Sequence, residues 1–391
     1  MADFFEYVFW RGDVEFSSSE FNPVDALIFS QVSYMNFDGL IPCGYDRSIT
    51  VKELFSRFKK SSDFAKRKNI GVVINPKTND LFEKIADSNR FGKVKLCGWK
   101  NRYSEKTEEQ FLAFTAFIED FALIVFRGTD DTIVGWKENF NMSFLSETPG
   151  QLKAVEYLEW IASQTRLPLR LMGHSKGGNL AVYAAAQCEP EIQKRIMTIY
   201  NNDGPGFRQE FLDSPGFSMI RSRIVRIIPE SSIVGLLLLH DTEPEIIKST
   251  QNGAMQHDGI TWDVCGNHFV RAEEINAGSI LFDKTLKKWM DEIEESKRGA
   301  FIEDLFSVLE APGVETFTEL QNGGLRTLKE ILSKIEDLQP ESKKIIQQLV
   351  KCILSSSTEL LTAPLIARRD EWVQGWERET ETEHFGQAEW K

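Results

Sequence analysis

Residues 169–186 read Leu-Arg-Leu-Met-Gly-His-Ser-Lys-Gly-Gly-Asn-Leu-Ala-Val-Tyr-Ala-Ala-Ala, and this stretch decides how the rest of the chain is interpreted. A short apolar run meets Gly-His-Ser-Lys-Gly and then an alanine-rich segment of high helix propensity, so the pattern predicts a strand, a sharp turn and a helix. Glycines two residues before and two residues after Ser175 leave room for a strained turn at the tip of a sheet. The stretch therefore predicts a nucleophile elbow with Ser175 as the nucleophile.

Short apolar runs on both sides of the elbow predict the remaining strands. Three of them follow one another closely before it, at residues 94–99, 111–118 and 121–126, and this spacing favours antiparallel pairing. After the elbow, strands at residues 196–200 and 224–228 alternate with helical segments, which indicates a parallel sheet with right-handed crossovers. The predicted fold class is α/β, with a mainly parallel sheet and antiparallel strands at one side.

Composition restricts the class of protein. The chain has 391 residues, 41% of them hydrophobic and 27% charged, and a formal net charge of -13, which argues against nucleic-acid partners and a basic membrane-docking face. It lacks a secretory signal pattern and an apolar run long enough for a stable membrane anchor, so we expect a cytoplasmic protein. The five scattered cysteines form no C-x-x-C pair, so neither a disulfide framework, nor a metal site, nor a cofactor is expected.

The pattern of predicted secondary structure changes toward the C-terminus. From residue 273 onwards, long amphipathic helical patterns replace strand signals, at residues 281–293, 301–309, 325–335 and 345–354, and Pro-Gly and Gly-Gly pairs interrupt them. We expect a catalytic domain over residues 1–295 and a helical C-terminal region over residues 296–391 that ends in a charged tail. Three tail tryptophans either cover an adjacent helix or mark a surface for a protein partner: Trp372, Trp376 and Trp390.

A serine nucleophile needs a histidine base, and two histidines are candidates for it. His257 and His268 both follow the main strands, as the order of residues in such sites requires. His257 is favoured because glycines and an aspartate place it in a loop before an expected last strand at residues 261–265, and His268 stays open as the alternative. The side chain of His174, next to Ser175 on the elbow, is expected to point away from the serine hydroxyl.

The carboxylate and the oxyanion donors should lie beyond the carboxyl ends of the strands. Asp203 follows the first strand after the elbow in an Asp-Gly-Pro-Gly turn, and Glu230 follows the next strand. Asp203 is favoured because that turn would hold its carboxylate in place, but both remain candidates. For the oxyanion we expect the N–H of Lys176, the residue after the nucleophile, and the N–H and hydroxyl of Thr129, which follows an earlier strand.

The Phe-Arg-Gly-Thr turn at residues 126–129, Trp136 and the Gly-His-Ser-Lys-Gly-Gly elbow together resemble the class 3 lipases of the α/β-hydrolase superfamily. They look in particular like a bacterial branch of lipase-like serine hydrolases, in which these motifs are expected together with Asp-Gly-Pro-Gly and Gln-His-Asp. The resemblance covers residues 22–295 and implies an α/β-hydrolase fold, with Ser175 as nucleophile, Thr129 as an oxyanion residue and His257 or His268 as base.

One departure from the class 3 lipase pattern concerns the acid. Those lipases carry an aspartate after the strand equivalent to residues 224–228, in an Asp-x-Val-Pro context, whereas this chain has Pro-Glu-Ser-Ser at residues 229–232. Either Glu230 substitutes for that aspartate, or the acid has moved to Asp203 after the preceding strand. The departure bears more on the lipase assignment than on the hydrolase assignment.

Two functions follow from these patterns. The first is a serine esterase that cleaves a small-molecule or lipid-like carboxylic ester through an acyl-enzyme. The alternative is a non-catalytic binding or scaffold protein on a hydrolase fold, with the C-terminal helices docking a protein partner.

Overall fold

The computed structural model describes residues 3–71, 74–130, 132–142, 145–280, 295–316, 319, 324–338, 343 and 346. Eight strands form one sheet in which they lie side by side in chain order. They are β1 (Ile49–Thr50), β2 (Lys95–Ser104), β3 (Glu109–Ile118), β4 (Phe121–Phe126), β5 (Leu169–His174), β6 (Ile196–Asn202), β7 (Ile224–Pro229) and β8 (Pro244–Ile247). Strands β1 to β4 pair antiparallel and β4 to β8 pair parallel, which confirms the predicted fold class and gives an α/β-hydrolase fold.

The helices begin where the sequence supplies N-terminal caps. Asn22 and Asp25 form a capping box ahead of one helix, and Thr148 and Gln151 form another, each with a proline at the first helical position. The helices are α1 (Phe4–Arg11), α2 (Pro23–Val32), α3 (Val51–Lys60), α4 (Phe64–Lys68), α5 (Lys77–Asp87), α6 (Asn89–Gly92), α7 (Ile133–Asn141), α8 (Pro149–Gln164), α9 (Lys176–Gln187), α10 (Pro190–Gln193), α11 (Gln209–Leu212), α12 (Pro215–Ile220), Glu295–Glu310 and Gly324–Glu336. Short 3-10 helices lie at Arg221–Arg223, Val234–Leu236, Gly253–His257 and Gly259–Thr261.

Strand β4 is buried along its whole length and separates the two apolar cores of the sheet. Leu123 and Val125 join the core that contains α1, α2, α3 and α5, whereas Ile124 and Phe126 join the core that contains α8 and α9. This alternation follows from the two-residue period of a strand. Burial of each such side chain contributes about 1.5–3 kcal/mol to the stability of the fold. Packing on both faces therefore stabilises the parallel strands and the positions of their carboxyl ends.

The end of the sheet differs from the prediction. The expected last strand at residues 261–265 is wrong, because β8 (Pro244–Ile247) closes the sheet at its parallel edge. Val264–Cys265 instead forms β9, which pairs with β10 (His268–Phe269) in a separate two-stranded ribbon. Strand β8 begins with a proline, a residue confined to strand starts and sheet edges, and its four residues give no clear periodic signal. His257 consequently follows the last strand of the sheet.

The chain divides into two compact units, residues 1–306 with 315–317 and residues 307–314 with 318–391. In the second unit the structure describes the helix Gly324–Glu336. The helices predicted at residues 281–293 and 345–354 and the three tail tryptophans lie outside the described residues, apart from residue 346. The division into functional domains at residues 295 and 296 stays a prediction. Within the described residues, no helix is long and apolar enough to cross a membrane.

Candidate active site

Ser175 connects β5 to α9 in a strained turn, with φ of 58° and ψ of -133°. The turn needs both flanking glycines: a Cβ on Gly173 would lie 2.0 Å from the carbonyl carbon of Gly177, and a Cβ on Gly177 would lie 2.2 Å from the carbonyl oxygen of Phe126. The Ser175 N–H donates to the carbonyl of Asn202 at 2.9 Å, which fixes the turn to β6. A positive φ at a serine costs about 1–3 kcal/mol and occurs most often at functional sites.

Asp203 and His257 meet at the carboxyl end of β6. Nδ1 of His257 lies 2.6 Å from Oδ2 of Asp203, and the other carboxylate oxygen, Oδ1, accepts a hydrogen bond from the Ser232 hydroxyl at 2.5 Å. Asp203 is fully buried, while a quarter of the His257 side chain is exposed. With Nδ1–H donating to the carboxylate, the lone pair of a neutral His257 is on Nε2. Among the described residues, neither this Nε2 nor the Ser175 hydroxyl has a hydrogen-bond partner.

The structure does not bring Glu230 or His268 to this pair. The Glu230 N–H donates to the carbonyl of Ile247, so Glu230 lies at the β8 side of β7, and no contact joins its side chain to His257 in the described part of the chain. His268 lies on the exposed end of β10, where its Nδ1 is 3.3 Å from Oδ1 of Asn267. Of the two acids and two histidines proposed from the sequence, Asp203 and His257 are the ones in contact.

The turn with Thr129 passes directly beside the elbow. A Cβ on Gly128 would lie 3.1 Å from Cβ of Ser175, so a larger residue would press on the serine. Nδ2 of Asn139, on α7, donates to the Thr129 hydroxyl at 2.7 Å, and this leaves the hydroxyl proton free to point to another acceptor. The N–H of Lys176 opens α9, where first-turn N–H groups lack an intrahelical acceptor. Asn139 was missed, since no sequence signal distinguishes it from its neighbours.

An ion pair fixes the same turn. Arg127 and Asp130 are 2.9 Å apart, and the Thr132 hydroxyl donates to Asp130 at 2.6 Å. Burial opposes ionisation of Asp130, but the Arg127 charge and the hydrogen bonds from Thr132 outweigh it and lower the pKa of Asp130 below its usual value. The turn is thus held by its own charged groups.

His174 supports the loop that carries His257. Its Nε2 lies 2.7 Å from the main-chain oxygen of His257, and its Nδ1 lies 3.0 Å from the Tyr34 hydroxyl. Burial, together with the nearby His257, lowers the pKa of His174 to about 3, so the ring is neutral. A carbonyl only accepts, so Nε2 carries the proton and Nδ1 accepts from Tyr34. This supporting contact was not predicted from the sequence.

The side chain of Lys176 points away from the site into a buried network. Its Nζ donates to the main-chain and side-chain oxygens of Gln110, each at 2.6 Å, and to Oε2 of Glu138 at 2.7 Å. Glu138 also accepts from the N–H of Gly150 at 2.6 Å. The network joins the elbow to β3, α7 and the start of α8, so the Lys176 side chain is structural.

A model of the Mbeg1-like family matches residues 85–307, more than half of the chain. No curated protein matches significantly. Three solved structures are similar to parts of it: M37 lipase (14% identity, 55% of this chain, 68% of that chain, TM-score 0.33), the native Rhizomucor miehei lipase propeptide complex (19%, 51%, 70%, 0.32) and a mutant form of MDLA from Penicillium cyclopium (13%, 65%, 86%, 0.34). Similarity at this level carries no argument about catalysis.

Metal chemistry has no candidate centre in the described ranges. No group of three or more His, Cys, Asp or Glu side chains there could hold a metal ion.

Proposed function

The chain belongs to the Mbeg1-like family, and from this premise we propose that it is a serine hydrolase that cleaves a carboxylic ester with Ser175 as nucleophile. The observation that carries the proposal is the Asp203–His257 pair, 2.6 Å apart at the carboxyl end of β6, together with the strained elbow serine at the end of the neighbouring strand β5. His174 supports the closeness of the two parts, because it precedes Ser175 in the chain and its ring centroid lies 4.6 Å from that of His257.

The proposed reaction has two halves. Nε2 of His257 removes the Ser175 proton, the alkoxide attacks the ester carbonyl, and Asp203 stabilises the imidazolium that forms. The tetrahedral intermediate then collapses, and the imidazolium gives its proton to the departing alcohol, which leaves an acyl-serine. Water, deprotonated by the same histidine, attacks the acyl-serine, and the imidazolium returns the proton to Ser175 as the carboxylic acid leaves.

The oxyanion is stabilised by groups on two neighbouring turns. The N–H of Lys176 and the N–H and hydroxyl of Thr129 are the proposed donors, and Asn139 orients the hydroxyl by donating to its oxygen at 2.7 Å. Removing one such donor typically costs about 10²–10³-fold in kcat. These donors require no movement of charged side chains during the reaction.

We propose a lipid-like acyl chain as the preferred substrate group. Ser232, which contacts Asp203, is followed by the apolar residues 233–239, and none of their aliphatic side chains is fully buried. Leu239 is 41% exposed, and Met255, two residues before His257, is 55% exposed. An apolar surface beside the proposed base fits an acyl chain better than a polar leaving group.

Labelling with a fluorophosphonate probe tests the reaction, and the variants separate the two histidines. The wild-type chain and His268→Ala should be labelled, whereas Ser175→Ala and His257→Ala should not. A panel of esters of increasing chain length should then show kcat/KM rising with length. Equal labelling of the wild type and Ser175→Ala would overturn the proposal and favour a non-catalytic binding protein on the hydrolase fold.

A further inference from the structure

Arg226 is a buried charge without an ion-pair partner among the described residues. It lies on β7 and is 7% exposed. Nη2 donates to the carbonyl of Gly235 at 2.6 Å and Nη1 to the carbonyl of Thr242 at 3.2 Å, while Nε is buried and has no hydrogen-bond partner. Two main-chain carbonyls would be satisfied equally well by a neutral side chain. A buried guanidinium is costly, so its charge calls for a separate explanation.

Gly235 separates this guanidinium from the carboxylate of Asp203. A Cβ on Gly235 would lie 2.2 Å from Oδ1 of Asp203 and 2.8 Å from the Ser232 hydroxyl, so only glycine fits there. Its carbonyl accepts from Arg226 on the other side. With standard backbone dimensions these contacts put the guanidinium within roughly 8 Å of the carboxylate. Ser232 and His257 take up the carboxylate's hydrogen bonds, and Arg226 supplies charge without direct contact.

The charged groups that face Arg226 are Asp203 and Glu243. Burial lowers the pKa of Arg226 to about 10, and the two carboxylates limit that fall, so the guanidinium is charged at neutral pH. The other titratable groups that face His257 are His174 and Asp258. Of the groups named in this paragraph, the variants proposed below replace Arg226 alone.

We propose that Arg226 is a positioning residue of the proposed hydrolase site: through Gly235 it places a buried positive charge beside the carboxylate of Asp203, which holds His257. The inference rests on the proposed function. Its physical basis is that a positive charge favours a nearby carboxylate and disfavours a nearby imidazolium. Strand β7 then contributes a charge, and the turn after it contributes a hydrogen bond from Ser232, to the acid that follows β6.

The test compares Arg226→Gln with a matched arginine in the full-length chain. Arg223 also donates to two main-chain carbonyls, but these belong to Gln193 and Ile196, at the opposite end of β6 from Asp203. In Arg226→Gln the acid midpoint of the pH profile of kcat/KM should move up by about one pH unit, the size expected of one charge at this distance. The acid midpoint of Arg226→Lys should stay close to that of the wild type, and the midpoint of Arg223→Gln should equal it.

A second readout follows the imidazole of His257 by NMR through a pH titration. The same upward shift is expected in Arg226→Gln, in the presence or absence of esterase activity. If the wild type and Ser175→Ala hydrolyse the ester equally, the proposed function fails, and the NMR titration still decides the role of Arg226. If Arg226→Gln and Arg223→Gln titrate alike, the inference is overturned.

Folding of the variants is checked by thermal unfolding. Arg226→Met supplies the same comparison where Arg226→Gln does not fold. Where neither neutral variant folds, Arg226→Lys decides, since it keeps the charge and loses the paired hydrogen bonds. An unchanged midpoint then supports the inference, and a shift of about one unit contradicts it.

Discussion

Replacing Lys176 by methionine should destabilise the protein strongly, because it breaks an ion pair that is sealed from water. The side chains of Lys176 and Glu138 are both 0% exposed and their charged atoms are 2.7 Å apart. Removing one member of such a pair leaves a buried, unpaired charge, which typically costs about 3–5 kcal/mol. Two main-chain N–H groups, those of Gly150 and Gln110, still donate to Glu138. We therefore expect a loss of stability at the lower end of this range, about 3 kcal/mol.

The assay is chemical and thermal unfolding of the full-length chain. At about 2 °C per kcal/mol for a protein of this size, Lys176→Met should lower Tm by roughly 6 °C. The matched control is Lys153→Met, which breaks the exposed pair with Glu156, 2.8 Å apart, and should cost less than about 0.5 kcal/mol. A loss in Lys176→Met no larger than in Lys153→Met would refute the reasoning.

A double variant distinguishes an unpaired charge from lost packing. Lys176→Met combined with Glu138→Gln removes both charges, so it should be clearly less destabilised than the sum of the two single variants. If the stability losses of the two single variants simply add, the two side chains do not interact, and the prediction drawn from their contact of 2.7 Å is wrong.

Further predictions concern activity and acid stability. Asp203→Asn should lower kcat/KM for an ester about 10⁴-fold, whereas Glu230→Gln should stay within about threefold, as steady-state kinetics will show. Asn139→Ala should lower kcat about tenfold with little change in KM, because the Thr129 hydroxyl loses its orienting donor. The folded-state pKa of His174, about 3, lies below its usual 6.5. Its neutral burial therefore stabilises the fold fully above pH 6.5, and that stability is lost as the pH falls toward 3. Between pH 7 and 4, the free energy of unfolding of His174→Gln should fall with decreasing pH less steeply than that of the wild type, by up to about 1.4 kcal/mol per pH unit. Denaturant unfolding at each pH measures this slope.

Much of the sheet could be predicted because its signals are local. Strand β4 is a six-residue apolar run with both faces buried, and the structure gives it the predicted bounds, Phe121–Phe126. Helix α8 carries local signals as well, because it starts at a Thr-Pro pair and its capping residues, Thr148 and Gln151, lie only three positions apart. The elbow was equally accessible, because both glycines and the serine lie within five residues.

The parts that failed depend on contacts between distant residues. Strand β8 has four residues and is defined by its pairing with β7, so its own sequence could not identify it. The choice between Asp203 and Glu230 depends on where residues 253–257 return to the sheet, and neither local turn encodes that. Asn139 and Thr129 are ten residues apart and meet because α7 folds back over the turn.

The geometry favours Asp203 over Glu230 as the acid of the proposed mechanism. The N–H of Asp203 donates to the carbonyl of Ile227, so its side chain starts between β6 and β7, next to the elbow on β5. The N–H of Glu230 donates to Ile247 on β8, one strand further from the serine. A base that serves Ser175 has to approach β5, and an acid that holds that base has to lie near the same strand. Moving the acid back by one strand therefore shortens the distance that His257 must bridge, and it frees β7 to supply Ser232 as a donor to Asp203.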